Sequence, residues 1–260
     1  ADGMVDPQHR NRGIFTRLVK QVAAFAERGD AALFTLPNGN SLPVYRRLPV
    51  LSLAGTCETR VKVIAWMRYL AYRLGAGSKL REQTMTTARD VARSGVRLRP
   101  VERFDCDLAS VRDEWAERIA VFTRRDNAFL EWRYFGSPLR RYAVAVVESR
   151  GQVRGYIVLR IINGVAHVMD IFMALDRRLA SLAVGLMIEW AAALGAIAVH
   201  LNASRGNFFH DIAADCGFWL RKTSGTLVMD RRSTELLGAA QPGGLDMADL
   251  YFVMGDFDFF

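Results

Sequence analysis

The chain has 260 residues and a mass of 29.1 kDa, enough for one large domain or two modest ones. Hydrophobic residues make up 51% and charged residues 24%, with a mean hydropathy of +0.06, so disordered, collagen-like and low-complexity classes are excluded. The three cysteines, Cys57, Cys106 and Cys216, lie far apart in the sequence. A disulfide scaffold or zinc ribbon is therefore not expected, whereas a reduced, cytoplasmic location is.

Positive charge is concentrated in the first part of the chain. The net charge is +8 and the isoelectric point is about 9.8. Residues 1–103 hold 18 Lys or Arg and 8 Asp or Glu, a net charge of +10, whereas residues 104–260 hold 17 and 19, a net charge of −2. This excess, in which Arg far outnumbers Lys, is typical either of a GC-rich genome that uses Arg as its default cation or of an anionic partner near the first part of the chain. That partner would be a nucleotide cofactor, a nucleic acid or an acidic membrane surface.

A helix followed by a short buried strand is predicted twice. Residues 14–28 carry apolar side chains at helical spacing and stop at Gly29, and the apolar run 32–36 predicts a strand. Residues 177–194 and 196–201 repeat this design. The repeat predicts an α/β layer with parallel strand pairing, and the apolar stretch of the second copy is interpreted as this helix and strand rather than as a membrane span.

Further elements are predicted between and after the two repeats. They are a strand over 97–104, helices over 107–122 and 127–135, a hairpin of 142–148 with 153–162, a strand over 165–173, a short helix near 208–216, and closing strands over 217–220 and 226–229. The predicted order is β-α-α-β-β-β-α-β-α-β-β.

This order resembles that of the GNAT superfamily of acyl-CoA-dependent N-acyltransferases, and residues 5–50 carry the more specific signs. Residues 5–15 are similar to the end of the family's central strand and its acyl-CoA loop, whose pattern is Arg/Gln-x-x-Gly-x-Gly/Ala. Arg10, Gly13 and the apolar Ile14 match that pattern. Phe15 departs from its last position.

A pair of residues further along the chain resembles the catalytic part of the family motif. Asn38 and Tyr45 are seven residues apart, like the family's Asn at a strand end and Tyr on the next helix. Residues 48–50 read Leu-Pro-Val where the family usually has Leu-Gly-Phe, a second departure.

The resemblance implies that acetyl-CoA, or another acyl-CoA, is the co-substrate and that no metal is needed. A helix N-terminus offers unpaired backbone N–H groups and a partial positive charge, which suit a pyrophosphate. The implied coenzyme-binding residues are Arg10, Asn11, Arg12, Gly13, Ile14 and Phe15. Tyr45 occupies the position of the general acid that protonates the leaving thiolate, and Asn38 would hold the pantetheine arm or the intermediate. No general base is assigned.

The second copy lacks these chemical groups. Residues 175–180 stand where its phosphate loop would be and contain no glycine. The counterpart of Tyr45 would be Phe209, seven residues after Asn202, or Ala213, four residues before Gly217. Neither residue has a hydroxyl group. The expected fold is therefore an α/β mixed sheet of GNAT type, with one partial copy followed by one complete, degenerate copy.

The resemblance also predicts a division of the chain. Four parts are expected: residues 1–55 as the C-terminal part of an acyl-CoA-binding domain, 56–96 as a basic amphipathic helical connector, 97–232 as the degenerate domain, and 233–260 as a C-terminal tail. Residues 251–260 of this tail are expected to form an edge strand or a docking segment. A family domain has three or four strands before the phosphate loop, whereas only a handful of residues precede it here. A fragment is the favoured explanation. The alternatives are strands supplied by a partner or another copy, and a first segment that decorates one complete domain.

The expected function is transfer of an acyl group to an amine of a small molecule or an amino sugar. The alternatives are a catalytically silent binding or substrate-presenting module and an aminoacyl-tRNA-dependent transferase of the Fem type. Nucleic acid and integral membrane insertion are not expected, but the basic segment 60–81 is either a connector helix or a peripheral membrane contact. His167 and His200 are expected to pack inside, and His210 to lie on an exposed helix face.

Overall fold

The computed structural model describes residues 6–10, 12–75, 89–123, 125–136, 141–239 and 250–256. The helices are α1 (Ile14–Arg28), α2 (Leu42–Arg46), α3 (Trp66–Arg73), α4 (Ala109–Arg118), α5 (Asn127–Leu130, continued by a π-helical turn over Glu131–Phe135), α6 (Arg177–Ala193), α7 (Phe208–Asp215) and α8 (Arg231–Ala239). The strands are β1 (Phe34–Thr35), β2 (Leu51–Val63), β3 (Val91–Arg93), β4 (Val96–Pro100), β5 (Val121–Phe122), β6 (Ala143–Ser149), β7 (Gln152–Ile162), β8 (Val165–Met173), β9 (Ala198–Ser204), β10 (Trp219–Asp230) and β11 (Leu250–Tyr251).

Nine strands form one mixed sheet in the order β1-β10-β2-β9-β8-β7-β6-β4-β3. Neighbouring strands are antiparallel except β8 and β9, which run parallel because α6 connects them as a crossover. The fold class predicted from the sequence, an α/β mixed sheet, is confirmed. The predicted hairpin corresponds to β6 and β7, and the strand predicted over 165–173 has the bounds of β8.

The two ends of the chain are joined through exchanged strands. The succession helix, strand, helix, strand occurs twice, as α1-β1-α2-β2 and as α6-β9-α7-β10. β2 pairs with β9, and β10 pairs with β1, while β2 and β10 pair with each other at the centre. The last strand of each succession is therefore paired with the first strand of the other succession. The domain boundary expected after residue 55 falls inside β2, so the two expected domains share one sheet.

Two predictions in the first part of the chain need correction. The strand expected over 32–36 is limited to Phe34–Thr35, because β1 is the terminal strand of the sheet and pairs with β10 alone. The helix expected over 60–81 begins at Trp66, because the residues up to Val63 pair between β9 and β10. The last part of that prediction, residues 76–81, lies outside the described residues.

Two predictions in the second part also need correction. The helix expected over 107–122 ends at Arg118, and Val121–Phe122 form β5, which pairs with β11. The two closing strands expected over 217–220 and 226–229 are one strand, β10, whose register against β2 shifts at three places. Residues 250–253, which lie within the predicted tail, are buried.

The main hydrophobic core lies between the sheet and helices α4 to α7. Trp115 is fully buried at its centre, with its ring centroid 4.5 Å from that of Tyr251 and 4.7 Å from that of Phe172. A separate, smaller cluster joins α1, α2, β2 and β10. Within the described parts of the chain, no helix is both long enough and apolar enough to cross a membrane.

Candidate functional site

The predicted phosphate loop lies at the exposed start of α1. Gly13 is the N-cap residue and has a left-handed backbone, φ 69° and ψ 12°, which glycine adopts at the least cost. Among the described residues, no side chain caps this helix, and its first turn carries no acidic residue. No described side chain therefore occupies the backbone N–H groups of the first turn, and the positive end of the helix dipole lies behind them.

Residues 6–10, which precede Gly13, form a turn. Residues 7–9 make a 3-10 turn, and the Asp6 carboxylate accepts a hydrogen bond from the Gln8 N–H at 2.8 Å. Arg10 follows with an extended backbone, and Arg12 is exposed beside the helix start. The strand expected to run into the loop is therefore not formed at Asp6, while residues 1–5 and Asn11 lie outside the described residues.

Tyr45 lies next to the start of α1. Its ring packs edge-on against that of Phe15, with centroids 5.6 Å apart and planes at 82°. A side-chain hydrogen bond joins Tyr45 to Thr35 of β1, and partial burial raises the pKa of the phenol above its usual value. The phenol is therefore protonated at neutral pH, the form that a proton donor requires. Phe15, which departs from the family pattern, anchors the first turn of α1 to α2.

Asn38 shapes the turn between β1 and α2. Its side-chain oxygen accepts hydrogen bonds from the N–H groups of Asn40 and Ser41, both at 3.0 Å. Asparagine commonly organises a turn in this way. The structure thus brings Gly13, Phe15 and Tyr45 together, while contact of Asn38 with a coenzyme stays a prediction.

The corresponding helix start in the second succession is already occupied by a carboxylate. Asp176 is the N-cap residue of α6, and its side chain accepts hydrogen bonds from the N–H groups of Arg178 at 2.8 Å and Leu179 at 3.1 Å. An anionic ligand at this position would lose those donors and would meet a negative charge. The geometry agrees with the absence of a phosphate-loop pattern over residues 175–180.

The gap where β8 and β9 separate is also filled. These strands pair only over Val165–Val168 with Ala198–Leu201, and diverging strands leave backbone polar groups to be satisfied in other ways. The Tyr251 hydroxyl donates to the Ile171 carbonyl, and the Trp115 indole N–H donates to the Met173 carbonyl at 2.7 Å. On the other side, the Ser204 N–H donates to Phe252 O at 2.8 Å. The segment 250–256 therefore seals this gap.

A buried ion cluster holds that segment in place. The Arg125 guanidinium, which is fully buried, donates to both oxygens of Asp170 at 3.1 Å and to both oxygens of Asp256 at 2.9 Å. The hydroxyls of Tyr134 and Tyr156 donate to Asp170 at 3.0 and 2.8 Å. Every partner that the cluster needs is thus supplied by the chain itself, which indicates a structural role.

His210 is buried, so its predicted place on an exposed helix face is wrong. Its Nδ1 accepts a hydrogen bond from the Gly206 N–H at 3.3 Å and lies 3.7 Å from a carboxylate oxygen of Glu58 on β2. Burial lowers the pKa of His210, and the nearby positive charge of Arg60 makes a smaller contribution in the same direction. Sequence patterns could not show this contact, because Glu58 and His210 meet only through the exchanged strand β2. Among the described residues, no group of three or more His, Cys, Asp or Glu side chains could hold a metal ion.

No family model matches the chain, and no curated protein matches it. Solved structures do. One is a GCN5-related N-acetyltransferase from Anabaena variabilis, with 11% identity and a TM-score of 0.54, covering 86% of this chain and 52% of that one. Another, from Kribbella flavida, has 15% identity and a TM-score of 0.51, covering 88% and 50%. Saccharomyces cerevisiae N-myristoyltransferase with bound myristoyl-CoA has 12% identity and a TM-score of 0.54, covering 87% and 59%.

The fold is that of the GNAT superfamily of N-acyltransferases, as the sequence resemblance implied. At these identities the likeness concerns the fold alone. The chain spans 50–59% of the length of these three solved chains.

Proposed function

We propose that this chain belongs to an N-acyltransferase that moves an acyl group from acyl-CoA to an amine of a small molecule or an amino sugar. The observation that carries the proposal is the start of α1 at Gly13, which no described side chain caps, placed against the Phe15–Tyr45 pair on a GNAT fold. We propose further that α1 to β2 form a partial copy of that fold and that β4 to β10 form a complete one. In this view the second copy, with its Asp176 cap and sealed gap, is not catalytic.

The proposed chemistry follows from the groups at this site. The coenzyme pyrophosphate would accept hydrogen bonds from the first-turn N–H groups of α1 and from Arg10 and Arg12. The amine nitrogen attacks the thioester carbon and loses a proton to solvent water, and the carbon–sulfur bond then breaks. The Tyr45 hydroxyl would then donate its proton to the departing thiolate. Phe15 fixes Tyr45 relative to the helix start, so both functions act on one coenzyme molecule.

The pair Gly13→Asp and Gly13→Asn tests the phosphate site. Both side chains tolerate a left-handed backbone and can cap a helix, and a Cβ at this position would meet nothing within 4 Å. Gly13→Asp places a carboxylate where α6 has one, so we expect the affinity for acyl-CoA to fall at least tenfold below that of Gly13→Asn. Calorimetric titration with acetyl-CoA and with myristoyl-CoA measures this. Equal affinities of the two variants would contradict the phosphate site.

Replacement of Tyr45 by Phe tests the proton donor. The variant keeps the ring that packs on Phe15 but removes the hydroxyl, so we expect acyl-CoA affinity to stay unchanged. The rate of acyl transfer should fall by about 10²-fold or more, the scale of general acid catalysis. Release of the coenzyme thiol with a panel of amines gives the rate. An unchanged rate would show that Tyr45 is not the proton donor, and it would not affect the proposed coenzyme site.

Two other functions are outcomes of the same experiments and are not favoured. Absence of acyl-CoA binding would support the silent module. Transfer RNA binding that weakens steeply with salt would support the aminoacyl-tRNA-dependent reaction. A cytoplasmic location and the membrane contact of residues 60–81 also stay predictions. For the latter, α3 does present apolar side chains to solvent, namely Trp66, Met67 and Leu70.

A further inference from the structure

Helix α3 is fixed to the sheet by its start and by one face. The N–H groups of Ile64 and Ala65, which join β2 to α3, donate to the Ile197 carbonyl at 2.9 and 3.0 Å. Tyr69 is buried and packs in one cluster with Val61 of β2. These contacts set the orientation of the helix, and they therefore also decide which side chains its opposite face presents.

The opposite face of α3 is apolar. Trp66, Met67, Leu70 and Leu74 are exposed by 63, 81, 52 and 74%. The Trp66 ring stacks on that of Trp219, which begins β10 and is 39% exposed, with centroids 5.5 Å apart and planes at 8°. We call these five side chains the α3 surface. Exposed apolar side chains that adjoin one another mark an interaction surface, whereas single ones are ordinary.

Positive charge borders the α3 surface. Residues 59–81 hold six Lys or Arg and no Asp or Glu. Arg68 and Arg73 are exposed on α3, and Arg221 and Lys222 are exposed on β10. A partner of this part of the molecule therefore meets both apolar side chains and an excess of cations.

The environment of His200 shows that cations from α3 and from β10 lie on one part of the molecule. His200 on β9 lies across β2 from Trp219. Burial is the largest cause of its low pKa, and the charges of Arg221, Lys222 and Arg73 add to this effect. All three cations are therefore within electrostatic reach of a residue that lies two strands from the stacked tryptophans.

We infer that the α3 surface docks peripherally on an anionic lipid bilayer. Its apolar side chains would lie at the level of the headgroups, with the bordering cations against lipid phosphates. Indole rings are favoured at that depth, because they are apolar but carry one N–H donor. The surface differs from the contact predicted over 60–81, because residues up to Val63 belong to the sheet and β10 contributes Trp219.

A bilayer fits both properties of the surface, whereas other partners fit one. A nucleic acid would neutralise the cations but offers no apolar phase for Met67, Leu70 and Leu74. A second copy would cover the apolar side chains, but it would bring its own Arg68 and Arg73 to the same contact, since a two-fold interface uses one patch twice. The inference goes beyond the proposed function and does not depend on the coenzyme site.

Sedimentation of the 260-residue chain with lipid vesicles tests the inference. Vesicles of phosphatidylglycerol and phosphatidylcholine in equal parts should bind the chain at least tenfold more tightly than vesicles of phosphatidylcholine alone. This difference should shrink as the salt concentration rises, because salt screens the cations. Equal binding to the two kinds of vesicle, or binding to neither, would overturn the inference.

Met67→Glu and Leu236→Glu form a matched pair of variants. Each places a carboxylate at an exposed apolar residue, 81 and 59% exposed. Leu236 lies on α8, which follows the last residue of β10, whereas Trp219 is the first residue of that strand. Met67→Glu should weaken binding to the anionic vesicles at least tenfold, and Leu236→Glu less than threefold. Thermal unfolding should be the same for both variants, and equal effects on vesicle binding would contradict the inference.

Fluorescence quenching by lipids with brominated acyl chains locates the contact. The double variant Trp66→Phe, Trp219→Phe should lose most of the quenching that the parent chain shows. Trp132→Phe, at a residue 68% exposed on the π-helical turn, should keep it. Quenching that disappears with Trp132 and persists in the double variant would place the membrane contact elsewhere and overturn the inference.

Two other results would assign the α3 surface to a different partner. Binding to a single-stranded oligonucleotide that is as tight as binding to the anionic vesicles would assign it to nucleic acid. Dimerisation without lipid that Met67→Glu abolishes would assign it to a second copy. Either result would overturn the inference. None of these measurements uses acyl-CoA, so the proposed function can fail while this inference stands.

Discussion

Replacement of Arg125 by Ala is expected to lower the free energy of unfolding by about 3–5 kcal/mol, because the carboxylates of Asp170 and Asp256 would remain buried without a counter-charge. The guanidinium also lies over the ring of Tyr251, with its central carbon 5.1 Å from the centroid. The change therefore loosens the segment that seals the gap between β8 and β9. Urea unfolding followed by tryptophan fluorescence measures it, since Trp115 contacts the same segment.

Two further variants make the Arg125 prediction specific. Arg177→Ala removes an exposed ion pair with Asp215, at 2.6 Å, and should cost less than about 1 kcal/mol. The triple variant Arg125→Met, Asp170→Asn, Asp256→Asn removes all three charges and should recover much of the lost stability. A loss below about 1 kcal/mol for Arg125→Ala would show that the cluster does not hold the fold together.

Acidification from pH 7 to about pH 5 is expected to destabilise the protein by about 3–4 kcal/mol through His167 and His200. Their rings meet edge-on across β8 and β9, with centroids 5.2 Å apart. Burial, with smaller contributions from Arg160 and Arg221, lowers the pKa of His167 to about 4. Burial, His167 and the cations Arg221, Lys222 and Arg73 lower that of His200 to about 3.

The direction follows from proton binding. In the unfolded chain both histidines bind a proton near their ordinary pKa of 6.5, whereas in the folded chain they remain neutral until about pH 4. Their contribution to stability is therefore complete above pH 6.5 and is lost as the pH falls toward the folded pKa values, by about 2 kcal/mol per histidine at pH 5.

The double variant His167→Gln, His200→Gln should remove most of this pH dependence. His9→Gln, at an exposed residue of the N-terminal turn, should keep it. Urea unfolding at pH 7 and pH 5 gives the difference for each protein. The same free energy of unfolding at both pH values in the parent chain would contradict the assignment, as would an unchanged pH slope in the double variant.

Local patterns predicted several elements well. Helix α1 has the predicted bounds, Ile14–Arg28, because apolar spacing, a glycine before it and Gly29 after it are all local signals. The hairpin of β6 and β7 followed from its turn residues. The crossover β8-α6-β9 followed from a strand, a helix and a strand in succession. Gly13 was identified as a special position from the family pattern, and its left-handed backbone gives that pattern a physical reason.

The sequence by itself thus determined the fold class, the helix that starts at Gly13 and the lack of a comparable loop before α6. Only the tertiary structure decided that β2 and β10 are exchanged, that residues 250–256 seal the gap in the second succession, and that His210 faces Glu58. These contacts join residues as far apart as Leu51 and Asp230. A strand's pattern shows which face is buried, but its partner is selected by packing across the whole sheet, for which no local signal exists.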